Sequence, residues 1–240
     1  STPFDEDSAD LLEQMEVPLF KVPSGEITNL DFIRYIASKG KPLLVSTGMA
    51  CLGEVEAAVI AVEQTGNMNL GLLHCVSNYP ADPADTNLRA MKLMTDAFGL
   101  PVGYSDHTLG IEVPLAAVAL GACVIEKHFT LDRSLPGPDH KASLEPLELA
   151  AMVRGIRTVE SALGSGRKQP SASEAAIAAV ARKSLVAAHD IAAGTVLTAD
   201  MIAVKRPGTG LAPSLKSIVL GRRALEDIPA GALLSWGAIS

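Results

Sequence analysis

No apolar run in this 240-residue chain approaches the ~20 residues of a membrane span, and no signal-peptide pattern opens it. The sequence therefore predicts no membrane-spanning segment. No Lys/Arg-rich block offsets the net charge of −7, which argues against general nucleic-acid binding. An anionic substrate would need a local cluster of cations or backbone N–H groups. Cysteine is scarce: Cys51, Cys75 and Cys123 have no metal-like spacing, and buried thiols in a reducing cytoplasm are the expectation. An initiator Met is also missing. The opening "STPFDEDSAD" reads as the end of a strand followed by a helix entry, so the expectation is a larger protein whose N-terminal part precedes residue 1.

What is present is an ordinary globular balance, 48% hydrophobic and 20% charged, in a chain long enough for one large core and a small appendage. Near-continuous apolar runs at 18–22, 42–46, 70–76, 101–105 and 122–128 predict parallel strands buried on both faces. Between or after them, residues 53–65, 87–98 and 145–163 carry helical apolar stripes. This alternation predicts an α/β fold. Each strand exit is polar, while the helix-to-strand turns hold Gly, Pro and Asn. A polar rim at the C-terminal strand ends is the arrangement of a TIM barrel, although an open sheet obeys a similar rule at one crevice. Five strands do not close a barrel of eight. Residues 165–182 read as a linker around "GSGRKQPSASEAA". Beyond it, "DIAAGTVLTADMI" (190–202) returns as "DIPAGALLSWGAI" (227–239), predicting a small pseudo-symmetric β domain over 183–240.

Two strand exits end on histidine, "VGYSDHTLG" at His107 and "VIEKHFTLD" at His128. A single strand-end histidine is usually a satisfied polar group. Two on neighbouring strands, about 4.8 Å apart, can share one metal ion while leaving positions open for substrate. "KVPSGE" adds Lys21, Ser24 and Glu26 at one exit; a lysine facing a barrel interior is costly unless paired, so it reads either as the partner of a ligand anion or as a snorkelling edge lysine. With Ser46 and Ser105 it could form an anion cradle, though serines at turns are individually uninformative. The Pro/Gly loop 133–143 is placed to cover the rim; its Asp139 suits either a hydroxylated substrate or an Asx-turn. Arg206 stands in a second Pro/Gly loop. His74, His140 and His189 read as structural or surface groups.

The ordered set "STPFDE", "FKVPSGE", "LVSTGMA", "LLHCVSNYP", "GYSDHTLG", "IEKHFTLD", "PGPDH" and "VKRPGTG" resembles the sialic acid synthases, phosphoenolpyruvate-dependent nonulosonate synthases with a C-terminal antifreeze-like (SAF) domain. The resemblance implies a TIM (β/α)8 barrel, of which about strands 3–8 lie in residues 1–164, followed by a β-clip SAF domain. It implies a domain-swapped homodimer that condenses phosphoenolpyruvate with an N-acylated hexosamine. N-acetylmannosamine giving N-acetylneuraminate is the leading expectation. Legionaminic or pseudaminic acid synthesis from a di-acetamido sugar is the alternative, as is a non-catalytic carbohydrate-binding module. Carried onto this chain, the metal ligands for Mn2+ or Mg2+ are His107 and His128. The phosphoenolpyruvate contacts are Thr2, Lys21, Ser24, Ser46, Ser77 and Ser105; those to the sugar are Glu26, Tyr79, Asp139 and Arg206. Lys21 and Glu26 are the expected catalytic groups. The family often has Asn where this chain has Ser77.

Overall fold

The expected helix entry falls at Asp5, whose carboxylate accepts a 2.6 Å hydrogen bond from the Ser8 N–H and caps α1 (Glu6–Gln14). The structure, a computed structural model, describes all 240 residues. Five strands follow: β1 (Phe20–Val22), β2 (Leu43–Ser46), β3 (Leu70–Cys75), β4 (Val102–Asp106) and β5 (Ile125–Lys127). They form one parallel sheet in chain order. Parallel neighbours require crossovers, and α2 (Leu30–Ser38), α3 (Leu52–Glu63), α4 (Arg89–Phe98) and α5 (Glu112–Ala119) supply them; α6 (Pro146–Leu163) follows β5.

Alternation along the strands gives the sheet two unlike faces. Phe20, Val22, Leu43, Val45, Leu72, Val102 and Tyr104 pack with Phe32, Ile33, Ile36, Val55, Val59 and Met91 of the helices in one apolar core. The other row runs through Lys21, Ser46, Cys75, Ser105 and Glu126. The sheet is strongly curled. Were it flat, β1 and β5 would stand four steps of about 4.8 Å apart, yet Lys21 Nζ of β1 lies 3.2 Å from Glu126 Oε1 of β5. The result is a half-barrel with its second face turned inward. The near-continuous apolar runs are thus buried on both sides only toward their starts, and their inner row becomes polar at the rim.

Three helices differ from the sequence expectation. α2 carries Phe32, Ile33, Ile36 and Ala37 on a buried stripe that the strand-by-strand reading passed over. α5, "EVPLAAVA", is apolar around most of its circumference and offers no stripe to detect. Within the stretch read as linker, α7 (Glu174–Ala181) is helical. The cysteine expectation is corrected as well: Cys75 is buried, whereas Cys51 and Cys123 are exposed.

The chain divides into two compact units, Ser1–Gly166 and Arg167–Ser240. In the second, β6 (Ser184–Ala187) pairs antiparallel with β7 (Ile202–Lys205), and α8 (Lys216–Val219) is a single turn. Its two sequence copies bond each other reciprocally. Ile191 and Ile228 exchange both backbone hydrogen bonds. The Ala230 N–H donates to Asp190 Oδ1 at 2.7 Å, and the Ala193 N–H donates to Asp227 Oδ1 at 2.8 Å. Gly194 N–H to Ala224 O is matched by Gly231 N–H to Ala187 O, and Leu197 N–H to Arg222 O by Leu234 N–H to Leu185 O. Leu197 and Leu234, equivalent in the two copies, are both fully buried in its core. The pseudo-symmetry read from the sequence is therefore physical.

Candidate active site

The strand exits converge on a cavity of about 400 Å³ lined by Thr2, Lys21, Ser24, Ser46, Ser105 and His107, with Cys75, Tyr79, Glu126, His128 and Asp139, and bordered by Phe4, Pro23 and Lys127. A parallel sheet curled this way delivers the C-terminal ends of all five strands to one rim, which is why residues far apart in sequence meet here.

Lys21 is held by Glu126 at 3.2 Å, its side chain only 13% exposed, and Ser105 Oγ donates to the same Glu126 oxygen at 2.6 Å. Ser24 Oγ lies 3.1 Å from Cys75 Sγ and accepts the Gly48 N–H at 3.1 Å. Gly48 has no room for a side chain: a Cβ there would sit 2.3 Å from Ser77 Oγ, 2.8 Å from Ser24 Oγ and 2.9 Å from Cys75 Sγ. The hydroxyls of Ser46 and Ser77 are buried without a hydrogen-bond partner. Leaving a hydroxyl in that state costs about 1–3 kcal/mol. The site is thus built around groups whose bonding demand is unmet.

The two histidines stand side by side, ring centroids 5.3 Å apart, with Tyr79 against His107 at 4.1 Å and against His128 at 5.4 Å. His107 Nδ1 is 2.7 Å from the Val76 carbonyl. That carbonyl can only accept, so Nδ1 carries the proton and Nε2 keeps a free lone pair. Burial holds His107 below its ordinary pKa, against the opposing pull of the Val76 carbonyl, which favours the neutral ligating form. His128 Nδ1 faces Asp139 Oδ2 at 3.6 Å, an ion-pair separation longer than a hydrogen bond. His107 thus has the outer-shell pattern of a metal-ligating histidine, with Nδ1–H on a backbone carbonyl. Two imidazoles are the donor type that suits a borderline first-row dication, and no third His, Cys, Asp or Glu groups with them. Asp139 makes no cap bond, so its carboxylate does not close an Asx-turn.

Three sequence expectations sit elsewhere. Glu26 lies off the cavity wall in a short 3-10 turn, where its carboxylate accepts from Asn29 Nδ2 at 2.8 Å. Ser77 is beside the cavity, behind Gly48, rather than on its wall. Arg206 belongs to the second unit, where its Nε donates to the Ala181 carbonyl at 3.1 Å. His74 bonds the Thr86 carbonyl and His140 bonds Thr130, in keeping with structural roles.

Glu126 was missed. It reads as an interruption of "ACVIEKH", but alternation places it on the face of His128, directly beside Ser105 in the β4–β5 register. Asp106 and Lys127 were missed for the same reason. They are the next register pair, on the opposite face, and form a fully buried ion pair.

The model of the NeuB family matches residues 1–168 and that of the SAF domain residues 182–240. N,N'-diacetyllegionaminic acid synthase of Legionella pneumophila is 50% identical over 240 residues, covering 98% of this chain and 67% of that protein. N-acetylneuraminate-9-phosphate synthase of Mus musculus is 45% identical, covering 84% of this chain and 56% of its own length. The crystal structure of a putative spore coat polysaccharide biosynthesis protein E from Chromobacterium violaceum superposes with a TM-score of 0.79 at 28% identity, over all of this chain and 72% of that one. This chain thus spans from a little over half to about 70% of the length of these relatives. On the family match, the relatives' identity and the half-barrel with its appended β unit, the chain belongs to the NeuB family of sialic-acid-type synthases and carries a SAF domain.

Proposed function

We propose that this chain condenses phosphoenolpyruvate with an N-acylated hexosamine, releasing phosphate and forming a nine-carbon keto acid. The observation that carries the reading is the convergence, in one cavity, of Lys21, the unpartnered Ser46 hydroxyl and the His107–His128 pair. An incoming phosphate supplies the acceptor that Ser46 lacks and competes with Glu126 for the Lys21 ammonium. Charge-assisted bonds of this kind contribute roughly twice a neutral one. Lys21, Ser24 and Ser105 then act by fixed electrostatics, holding phosphate charge as it builds rather than moving a proton.

The free Nε2 atoms of His107 and His128 would hold Mn2+ or Mg2+, which supplies Lewis acidity toward the sugar aldehyde. C3 of phosphoenolpyruvate forms the new bond to the aldehyde carbon. Water then adds at C2, and the C–O bond to phosphate breaks. Thr2 and Tyr79 border the same cavity, and Asp139 is placed to receive a sugar hydroxyl. Glu126 takes the place at the reacting centre that the sequence had suggested for Glu26. Arg206, exposed in its own unit, is the group we assign to the acyl substituent, supplied by the partner chain of a homodimer.

The higher identity to the L. pneumophila enzyme than to the 9-phosphate synthase favours a di-acetamido sugar over N-acetylmannosamine. The test is phosphate release from phosphoenolpyruvate with each sugar in turn, with and without Mn2+. Release with none of the acylated sugars, or equal release with no sugar, overturns the reading. Lys21→Ala should weaken phosphoenolpyruvate binding about a hundredfold, as expected for loss of a charged hydrogen-bond partner. An unchanged KM would remove Lys21 from the site.

A further inference from the structure

We propose that Asp106 and Lys127 are positioning residues whose buried ion pair sets the spacing of His107 and His128, and with it the affinity of the pair for a divalent cation. The inference rests on the reading that these histidines hold a metal.

Each residue immediately precedes a site histidine, and the two are register partners on the last rung of the β4–β5 ladder. Their side chains are 0% and 1% exposed. Asp106 accepts from the Lys127 ammonium on Oδ2, and its Oδ1 accepts the Thr108 N–H at 3.1 Å and the Thr108 hydroxyl at 2.9 Å. Lys127 also donates to the Thr108 carbonyl at 2.6 Å. Residues 106 and 108, on either side of His107, are therefore tied to each other and to the strand that carries His128. His107 stands at the apex of this closed ring, with its own Nδ1 anchored to Val76 from the β3 exit. Alternation then aims both rings inward, on the face of Ser105 and Glu126.

Stability alone does not explain the pair. Exchanging a buried ion pair for apolar groups of similar volume is often neutral or stabilising. What apolar groups cannot supply is the directional bond network that fixes the turn at residues 106–108 relative to β5. Outer-shell partners of metal-binding histidines typically govern affinity by 10–100-fold.

The test is Mn2+ titration of the full 240-residue chain, followed by electron paramagnetic resonance, alongside thermal melting. The double variant Asp106→Leu/Lys127→Met should melt as a folded protein yet bind Mn2+ about 10–100-fold more weakly than the parent. A purely structural pair would shift melting and leave the affinity of the folded chain unchanged, and that result overturns the proposal. Should the double variant fail to fold, Thr108→Val removes one strand of the network only. It should weaken Mn2+ binding several-fold, and unaltered affinity there is equally fatal. His107→Ala separates the two levels of the argument. If it binds Mn2+ as the parent does, or if the parent binds none, the metal reading falls; if it loses binding while the double variant keeps it, only the positioning role falls.

Discussion

The two units treat buried polarity in opposite ways. In residues 1–166 ten polar or charged residues are buried, among them Ser46, Ser105, Asp106 and His107; in residues 167–240 there is one, Ser184. The orphaned hydroxyls of Ser46, Ser77 and Tyr104 all lie in the first unit as well. In the second unit the turns are closed by matched bonds between the two sequence copies, and the core is aliphatic. Of the ten, Ser46, Ser105 and His107 line the cavity, and the Ser46 hydroxyl is left unpaired there at a cost to stability. The unit without such a site is free to satisfy itself.

That contrast can be attacked by mutation. The largest effect is expected at Leu197 and Leu234, the equivalent core residues of the two copies. Each Leu→Ala change should destabilise the second unit by about 2–5 kcal/mol, the usual range for a buried leucine. Denaturant unfolding of both variants checks whether the two losses agree, as matched environments require. A loss at one position only would break the symmetry argument.

Next comes Gly48→Ala in the first unit. The new methyl group meets Ser77, Ser24 and Cys75, and overpacking of this kind destabilises by about 1–3 kcal/mol. Phosphoenolpyruvate binding, followed by calorimetry, should weaken too because Ser24 must move. Unaltered melting and binding would show that the cradle is looser than its contacts imply. The smallest effect is at the turn aspartates. Asp190→Ala and Asp227→Ala each remove one bond to a backbone N–H, worth about 1 kcal/mol. Equal shifts in melting are expected, with no change in anion binding.

Most of this organisation was legible in the sequence because it is local. The apolar run at 42–46 became β2 at Leu43–Ser46, and the stripe at 145–163 became α6 at Pro146–Leu163. Each signal needed only neighbours within a few residues. The histidine pair was legible for a different reason, since consecutive strands are neighbours in a barrel, and β4 and β5 do pair here. What escaped was what depends on facing and register. Glu126 gains its meaning from Ser105 across the ladder and Lys21 across the curl. Asp106 and Lys127 have no partner visible in the sequence until the register pairs them. Glu26 also depends on facing: its chain position beside Lys21 and Ser24 suggests the cavity, and in the structure its carboxylate accepts from Asn29 in a 3-10 turn.

The crossed bonding of the second unit has a kinetic meaning. Leu185, Ala187, Ile191 and Leu197, in or just before the first copy, bond Leu234, Ala232, Ile228 and Arg222, in or just before the second. Each copy closes a short turn of its own, Thr195 N–H to Ala192 O and Ala232 N–H to Pro229 O, but the bonds flanking those turns cross to the other half, so a half-formed intermediate would expose unpaired amides and a split aliphatic core. Such a unit folds and opens as one cooperative foldon, with amide exchange in both copies governed by a single opening event.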